Sequence, residues 1–129
     1  MNVLTLNIKQ KYFDEIVAGI KKVETREIRP NNFRRYCRYL HEGQEYINDE
    51  DIPEDDSPVE VVPVKYDALK LITGEYKGKR PFVVVEVKDA NVYFITDENG
   101  DNRTYEVNGK QYIMADIDYE LGKIIEKSF

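Results

Sequence analysis

The stretch from residue 9 to residue 29 constrains the fold most, because its hydrophobic period changes at a glycine. The apolar residues of its first half recur at steps of one, three and four, which is the spacing of one helix face. They are Tyr12, Phe13, Ile16, Val17 and Ile20. Gly19 suits the left-handed position that ends many helices, and the side chains after it alternate with the period of a strand. The stretch therefore predicts a helix over residues 9–19 and a strand over residues 22–28.

The predicted strand carries charged side chains on one of its faces. Alternation places Lys22, Glu24, Arg26 and Ile28 on one side, and Val23, Thr25 and Glu27 on the other. Charged groups are costly to bury unless they are paired. The charged face is therefore either exposed to solvent, where an ion pair contributes about 0–1 kcal/mol, or it lines a polar cleft.

The rest of the chain predicts short strands and few helices. Residues 2–8 alternate as a strand does, with the even-numbered side chains buried. A second helix, capped by an asparagine, is predicted to run to about Leu40, and helical spacing predicts a third helix over residues 66–73. The predicted strands of the second half cover residues 81–87, 91–96, 102–107, 110–119 and 121–126, joined in part by Asn-Gly turns. This pattern predicts an α+β fold in a single domain over residues 1–129.

Size and composition are typical of one soluble domain with an ordinary core. The chain has 129 residues, of which 41% are hydrophobic and 34% are charged. It contains no run of about 18 apolar residues that would cross a membrane, and its N-terminus alternates, unlike a signal peptide. The single Cys37 cannot form an internal disulfide. We therefore expect a cytoplasmic protein that does not associate with membranes.

Charge is distributed unevenly along the chain, whose net charge is −6. Residues 20–40 contain seven Lys or Arg against two Glu, and residues 41–60 contain nine carboxylates and no Lys or Arg. A basic surface attracts phosphates within about 10 Å even on an acidic protein. The acidic stretch predicts a mobile loop over about residues 41–60. It could hang free, cover the basic segment as a lid, or dock a basic protein partner.

Three segments in this order resemble the ASCH family, whose fold is PUA-like. The first is the motif Gly19-x-Lys21-x-x-Glu24-x-Arg26 after a helix containing YFDEI; the others are Arg80-Pro81 with VVVEVKDA over residues 83–90, and LGKII over residues 121–125. The resemblance touches both ends of the chain and leaves out mainly residues 41–64. It implies a small PUA-like β-barrel with peripheral helices.

The resemblance also implies a function for the charged strand. In ASCH and related PUA-like proteins this motif lines a cleft proposed to bind RNA or a nucleotide, which makes Lys21, Glu24 and Arg26 cleft candidates. Lysine and arginine neutralise phosphates, and a carboxylate can accept a hydrogen bond from cytosine N4. With the neighbouring cations, the predicted ligand-binding residues are Lys21, Lys22, Glu24, Arg26, Arg34, Arg35, Arg38, Lys79 and Arg80. The arginines of residues 34–38 are equally explained as the solvated face of a helix.

One branch of the family is catalytic and hydrolyses N4-acylated cytidine with a lysine, a threonine and a glutamate. Lys21 matches that lysine, whereas Glu24 stands at the position of the threonine. Thr25 lies on the opposite face of the predicted strand, and Glu86 could stand for the glutamate. An enzyme of this kind would use Lys21 and Glu24 as acid–base groups. Because the hydroxyl is missing, an RNA- or nucleotide-binding protein is the preferred hypothesis, and an amidohydrolase acting on a modified nucleoside is the alternative.

Metal and cofactor sites are not predicted. One His and one Cys do not supply the ligands of a structural zinc site. The carboxylates of residues 49–56 lack the spacing of an EF-hand. We therefore expect a ligand-binding protein without a metal ion or a cofactor.

Overall fold

The computed structural model describes residues 1–74 and 80–129. More of these residues lie in strands than in helices, and the helices are short, which agrees with the predicted α+β class. In chain order the elements are β1 (Val3–Asn7), α1 (Gln10–Val17), β2 (Val23–Ile28), α2 (Phe33–Tyr36), β3 (Cys37–His41), β4 (Gln44–Tyr46), a 3-10 helix (Asp49–Asp51), β5 (Val59–Pro63), β6 (Ala68–Ile72), β7 (Phe82–Phe94), β8 (Thr104–Val107), β9 (Lys110–Ile113) and β10 (Ala115–Lys127). Among the described residues, every helix is too short or too polar to span a bilayer.

The strands form three sheets. The largest has five strands in the order β1-β6-β7-β10-β2, the second has the order β4-β3-β5, and β8 pairs with β9. In the large sheet β1 runs parallel to β6, with Val3 opposite Ala68. The strand β6 runs antiparallel to β7, with Leu69 opposite Val85. Strands distant in sequence therefore build the large sheet, whereas neighbouring strands build the small ones.

The chain forms two compact units, each assembled from separate segments. Unit 1 consists of Met1–Glu24, Lys65–Ala90 and Tyr119–Phe129, and unit 2 consists of Thr25–Val64 and Asn91–Asp118. The long strands β7 and β10 each contribute residues to both units.

The core of unit 1 is formed by the apolar faces of β1 and α1 and by most of β6. The side chains of Leu4 and Leu6 are buried, while the odd-numbered residues of β1 are exposed, so the predicted strand face is confirmed. The helix α1 buries Phe13 and Ile16, which confirms the predicted helix. Its predicted apolar face is confirmed in part, because Val17 is half-buried and Tyr12 and Ile20 are exposed. The fully buried residues of this unit include Ala68, Leu69, Leu71, Val83 and Tyr119.

The predicted helix over residues 66–73 is wrong, because this segment contains the strand β6. Leu69 and Leu71 are both completely buried, as is Ala68 on the other face. A strand that is buried on both faces loses the alternating pattern that marks a half-buried strand. Hydrogen-bonded neighbours on both sides, β1 and β7, then override the helical spacing of the sequence.

The predicted second helix is too long. Helix α2 ends at Tyr36, and the chain continues as β3, which pairs with β4 on one side and with β5 on the other. The turn between β3 and β4 places Glu42 at φ 48° and Gly43 at φ 79°. Two consecutive positive φ values are characteristic of a tight hairpin turn. Residues 41–60, predicted as a loop, thus contain the strand β4 and a 3-10 helix.

The second half of the chain confirms one predicted hairpin and joins two predicted strands. Asn108 at φ 51° and Gly109 at φ 80° form the turn between β8 and β9, as the Asn-Gly signal predicts. The strands predicted over residues 81–87 and 91–96 are one continuous strand, β7. The strand predicted over residues 110–119 is instead interrupted at Met114.

Candidate functional site

A cleft of about 500 Å³ on unit 1 contains several of the basic residues of this unit. Its lining residues are Ile16, Gly19, Lys21, Lys22, Val85, Glu86, Lys88, Leu121, Gly122, Lys123 and Ile124. We call it the lysine cleft, because four lysines and a single carboxylate are among its lining residues. Such an excess of positive charge on a concave surface favours an anionic ligand.

The end of helix α1 directs two of these lysines into the cleft. Gly19 adopts φ 76°, the left-handed conformation that glycine tolerates best. Its N–H donates to the carbonyl of Ile16 at 3.0 Å, and the N–H of Ile20 donates to the carbonyl of Glu15 at 2.9 Å. These bonds satisfy carbonyls at the helix C-terminus and reverse the chain. The two residues that follow, at positions 21 and 22, therefore reach the cleft.

Lys21 is held in place by three neighbours. Its ammonium donates to the carbonyl of Val23 at 2.6 Å and lies 3.5 Å from Glu24 Oε1. It also lies 5.4 Å from the centre of the Tyr12 ring. The side chain of Glu24 is only 7% exposed and that of Lys21 is 22% exposed. The predicted Lys21–Glu24 pairing is therefore present, and the pair is mostly shielded from water.

Glu86 occupies space that the absence of a side chain at Gly122 provides. A Cβ atom on Gly122 would overlap Glu86 Oε1 and would lie 3.0 Å from Lys88 Cγ. Glycine inside a strand often marks such a close approach. Within residues 1–74 and 80–129, the Glu86 carboxylate has no hydrogen-bond or ion-pair partner of its own. It is thus available to a ligand in the cleft.

The strand β2 confirms the predicted alternation of faces. Glu24 and Ile28 are buried and Arg26 is half-buried, while Val23, Thr25 and Glu27 are exposed. Arg26 belongs to unit 2. The hydroxyl of Thr25 donates to Asp118 Oδ1 at 2.6 Å within unit 2.

The three arginines of residues 34–38 do not share one helical face, because the helix ends before Arg38. Arg34 Nη2 donates to Asn48 Oδ1 at 2.5 Å. Arg38 Nη1 turns back to the backbone, where it donates to the carbonyls of Arg34 at 2.6 Å and Cys37 at 2.8 Å. Arg35 is exposed on α2.

Of the remaining predicted cations, Arg80 is the one that the structure describes. Arg80 Nη2 donates to Asn7 Oδ1 at 2.9 Å, and its Nε donates to the carbonyl of Gly74 at 3.1 Å. Arg80 therefore ties this part of unit 1 together. Lys79 lies outside the described residues.

A second cavity, of about 320 Å³, lies within unit 2. Five aromatic and three basic side chains contribute to its lining, together with seven other apolar residues, Asn48 and Asp49. The aromatic and basic residues are Arg29, Phe33, Arg34, Tyr39, Phe94, Tyr105, Lys110 and Tyr112. We call it the aromatic pocket. Of its residues, only Arg34 is among the predicted ligand-binding residues.

The acidic segment of residues 41–60 begins at the buried His41, which contacts a residue near the other end of the segment. His41 Nε2 lies 2.9 Å from Asp55 Oδ1, which also accepts the N–H of Ser57 at 2.9 Å. The hydroxyl of Ser57 donates to Glu42 Oε1 at 2.6 Å. The ligand atoms of His41, Glu42 and Asp55 lie within 4.8 Å of one another, but Ser57 already engages both carboxylates. The hypothesis that this segment docks a basic partner stays a prediction.

The anchor at Asp55 predicts a specific loss of stability in acid. The hydrogen bond from His41, followed by that from the Ser57 backbone, lowers the pKa of Asp55 below its ordinary value of 3.8. A lowered folded-state pKa stabilises the fold above pH 3.8, and this contribution disappears as the pH falls through the lowered value. We expect the unfolding free energies of wild type and Asp55→Asn to differ at neutral pH and to converge in acid.

Urea unfolding of both proteins between about pH 6 and pH 2.5 measures this convergence. The neighbouring Asp56→Asn variant removes an exposed carboxylate from the same segment and serves as the control. A difference between wild type and Asp55→Asn that stays constant over the whole range would contradict the assignment.

Cys37 is predicted to be chemically inert in the folded protein. The residue is completely buried, and burial raises the pKa of its thiol to about 12, with Arg38 opposing the shift. Because only the thiolate is nucleophilic, we expect the native protein to react with iodoacetamide at pH 8 at least roughly a hundredfold more slowly than the urea-unfolded chain. Mass spectrometry after timed quenching measures both rates. Rapid modification of the native protein would show that this thiol is accessible.

Sequence reasoning identified only part of the two cavities. Lys88 and Lys123 were missed as cleft residues, because single lysines on strands carry no local signature. The glycine at position 122, inside a predicted strand, was the available signal for a close approach at Glu86. The aromatic pocket was missed because its walls come from nine of the described elements and from the loops between them.

Comparisons with protein-family models, with curated proteins and with solved structures found no match to this chain.

Proposed function

We propose that the chain is an RNA- or nucleotide-binding protein of the ASCH type, with a PUA-like fold, and that the lysine cleft receives its ligand. One observation carries the proposal: lysines from three separate places in the chain line the same cleft, together with one carboxylate. Lys21 and Lys22 follow α1, Lys88 belongs to β7, and Lys123 belongs to β10. The motif that suggested the resemblance supplies the first of these places.

The charge of the cleft suits a phosphate. Four lysines face one glutamate among its lining residues, although the chain as a whole has a net charge of −6. Lys88 is partly compensated by Glu120, whose Oε1 lies 3.6 Å away, but both side chains are more than half exposed. Exposed ion pairs are weak, so this one does not prevent Lys88 from contacting an anion.

The lysines differ in what they can do. Lys21 is fixed by its contacts with Glu24 and the Val23 carbonyl, so it presents a charge at a defined position. The side chain of Lys22 is exposed, so it can adopt several conformations and contact a phosphate at more than one position. The carboxylate of Glu86 can accept a hydrogen bond from an exocyclic amine or from a ribose hydroxyl. The cleft thus combines phosphate neutralisation with one acceptor that distinguishes ligands.

Binding of a short single-stranded RNA across a salt series tests the proposal. We expect the logarithm of the affinity to fall linearly with the logarithm of salt concentration between about 50 and 300 mM. Lys22→Ala is expected to weaken binding and to reduce the slope by about 0.7, the value for one lost phosphate contact on a single strand. Lys22 is preferred to Lys21, because removing Lys21 also disturbs the mostly buried Glu24.

Lys65→Ala is the matched control, because it removes an exposed lysine of unit 1 that does not line the cleft. Equal binding by wild type, Lys22→Ala and Lys21→Ala would refute the proposal. Absence of RNA binding together with salt-insensitive binding of one nucleoside would replace RNA with a small ligand.

A second candidate is hydrolysis of an N4-acylated cytidine. The observation that favours it is that Lys21 and Glu86 line the same cleft, since a lysine and a glutamate are two of the three groups implied by the resemblance. The cleft lining contains no Ser, Thr, Tyr or Cys within the described residues. A reaction there would therefore require water, activated by Glu86 as general base with Lys21 stabilising the developing negative charge.

Incubation with N4-acetylcytidine tests this second candidate. Release of cytidine and acetate that disappears in both Lys21→Ala and Glu86→Gln would support it. Release that persists in either variant, or no release at all, would leave binding as the function of the cleft.

A further inference from the structure

The aromatic pocket of unit 2 has the size and walls of a small-ligand site. Its volume of about 320 Å³ lies within the range of about 300–1,000 Å³ that is usual for such sites. Two pairs of nearly parallel rings contribute to its lining. Phe33 and Tyr39 have centroids 4.7 Å apart with an interplanar angle of 27°, and Tyr105 and Tyr112 have centroids 5.9 Å apart with an angle of 28°. Flat apolar surfaces of this kind favour a planar ligand.

Three cations lie among these rings. The guanidinium carbon of Arg29 lies 4.6 Å from the centre of the Tyr105 ring, and Lys110 Nζ lies 5.4 Å from the centre of the Tyr112 ring. The guanidinium of Arg34 is directed by its hydrogen bond to Asn48 Oδ1. Because that bond uses only one of the five N–H groups of an arginine, Arg34 retains donors for an anion.

Polar groups that remain neutral complete the lining. Burial, followed by the charge of Asp49, raises the pKa of Tyr39 above its ordinary value of 10.0. Burial also raises the pKa of Tyr105, although Arg29 opposes the shift. Both phenols are therefore protonated at neutral pH, and can donate as well as accept hydrogen bonds. Such groups suit the edges of a base.

We propose that the aromatic pocket binds one unstacked nucleotide, with the base against the tyrosine rings and the phosphate at Arg34. Arg29 is already paired with Glu27. A purely apolar ligand would make no use of the charges of Arg34 and Lys110, and a free phosphate would make no use of the aromatic walls. A nucleotide uses both, since bases stack on aromatic side chains and phosphates pair with arginine.

The site is distinct from the lysine cleft and does not rest on the function proposed for it. Every residue of the aromatic pocket belongs to unit 2, and every residue of the lysine cleft belongs to unit 1. The nucleotide could be a free mononucleotide or an unpaired nucleotide of an RNA strand. These two sources share one chemistry, and ligand length distinguishes them.

Calorimetric titration of the full chain with uridine and adenosine 5′-monophosphates tests the proposal, with the two nucleosides and a trinucleotide RNA as further ligands. We expect mononucleotide binding with a Kd on the order of 0.1 mM. Arg34→Ala should weaken it roughly tenfold or more, the effect of losing one charge-assisted contact, while nucleoside binding changes by less than about twofold. Tyr112→Leu should weaken both ligand types roughly tenfold through lost stacking.

Matched controls come from the same unit. Arg103→Ala removes an exposed arginine of unit 2, and Tyr93→Leu removes a partly exposed tyrosine; neither residue lines the pocket. Both variants should bind as wild type does. Circular dichroism checks that each variant is folded. A trinucleotide that binds more tightly than the mononucleotides, and that loses this affinity in Arg34→Ala, identifies RNA as the source.

Three results would overturn the inference. The first is no binding of any mononucleotide or trinucleotide up to about 5 mM, a limit well above the expected Kd. The second is binding that Arg34→Ala and Tyr112→Leu both leave unchanged. The third is mononucleotide binding that is lost in Lys22→Ala instead, which would assign the ligand to the lysine cleft and support the function proposed there.

Discussion

Replacing Leu69 with alanine is expected to lower the free energy of unfolding by about 2–5 kcal/mol, the usual cost of truncating a buried leucine. Leu69 is completely buried and lies inside β6. It stands opposite Leu4 of β1 on one side and Val85 of β7 on the other. Because paired backbones fix both neighbours, the structure can collapse only partly into the cavity. Urea unfolding followed by far-UV circular dichroism measures the loss.

Ile125→Ala is the matched control for this prediction. Ile125 lies on β10 in the same unit but is 45% exposed, so its truncation should cost less than about 1 kcal/mol. A second comparison separates strand from helix. A strand predicts that Leu71→Ala costs far more than Ile72→Ala, since only Leu71 is fully buried, whereas a helix would place Ile72 beside Leu69 on its apolar face. Equal losses at both positions would contradict the strand.

Replacing Gly122 with alanine is expected to displace Glu86 from the lysine cleft. The new methyl group would overlap Glu86 Oε1 and would lie 3.1 Å from Glu86 Cδ. We expect a loss of about 1–3 kcal/mol of stability, as for other overpacked sites. The Glu86 side chain can also rotate away from β10 and relieve the overlap. The loss of stability should then lie at the lower end of that range, and the carboxylate would no longer occupy its position in the cleft. Differential scanning calorimetry and ligand titration measure the two effects.

A double-mutant cycle isolates this contact. In a Glu86→Ala background the overlapping carboxylate is absent and only Lys88 Cγ, 3.0 Å from the new methyl group, must shift. Gly122→Ala should therefore cost clearly less than in the wild-type background. Gly43→Ala is a contrasting control, because nothing lies near its missing side chain and only the positive φ of 79° opposes the substitution. Equal costs for Gly122→Ala in both backgrounds would exclude Glu86 as the cause.

The elements that sequence predicted correctly are those whose signals are local. The helix α1 combines a one-sided apolar pattern with a glycine at its end, and β1 alternates cleanly because only one of its faces is buried. The hairpin at Asn108 needs two positive φ values, which its two residues favour more than most. In each case the evidence lies within about ten residues.

The elements that sequence predicted wrongly depend on distant partners. The strand β6 pairs with β1, more than 60 positions away in the chain, and it is an interior strand of the large sheet. The residues after Tyr36 have helical spacing, but β3 gains hydrogen-bonded neighbours on both sides from β4 and β5. Tertiary pairing outweighs local preference at such sites, because helix propensities differ by less than about 1 kcal/mol per residue.

The lysine cleft illustrates the same division between local and distant information. Lys21 and Lys22 could be predicted from a motif that covers only a few residues. Lys88 and Lys123 join them because β7 and β10 are neighbours in the large sheet, and that pairing has no sequence signature. The predicted Arg38 instead caps backbone carbonyls, since the helix that would have exposed it ends early.

Segments of the two units alternate along the chain, so the ribosome finishes synthesising unit 2 before unit 1. Unit 2 consists of two segments that both lie before residue 119, whereas unit 1 also needs Tyr119–Phe129. A chain that emerges from the ribosome therefore contains all of unit 2 while unit 1 still lacks Tyr119 and Leu121, two of its buried residues. All residues that line the aromatic pocket have been synthesised at that stage, whereas the lysine cleft still lacks the lining residues Leu121, Gly122, Lys123 and Ile124.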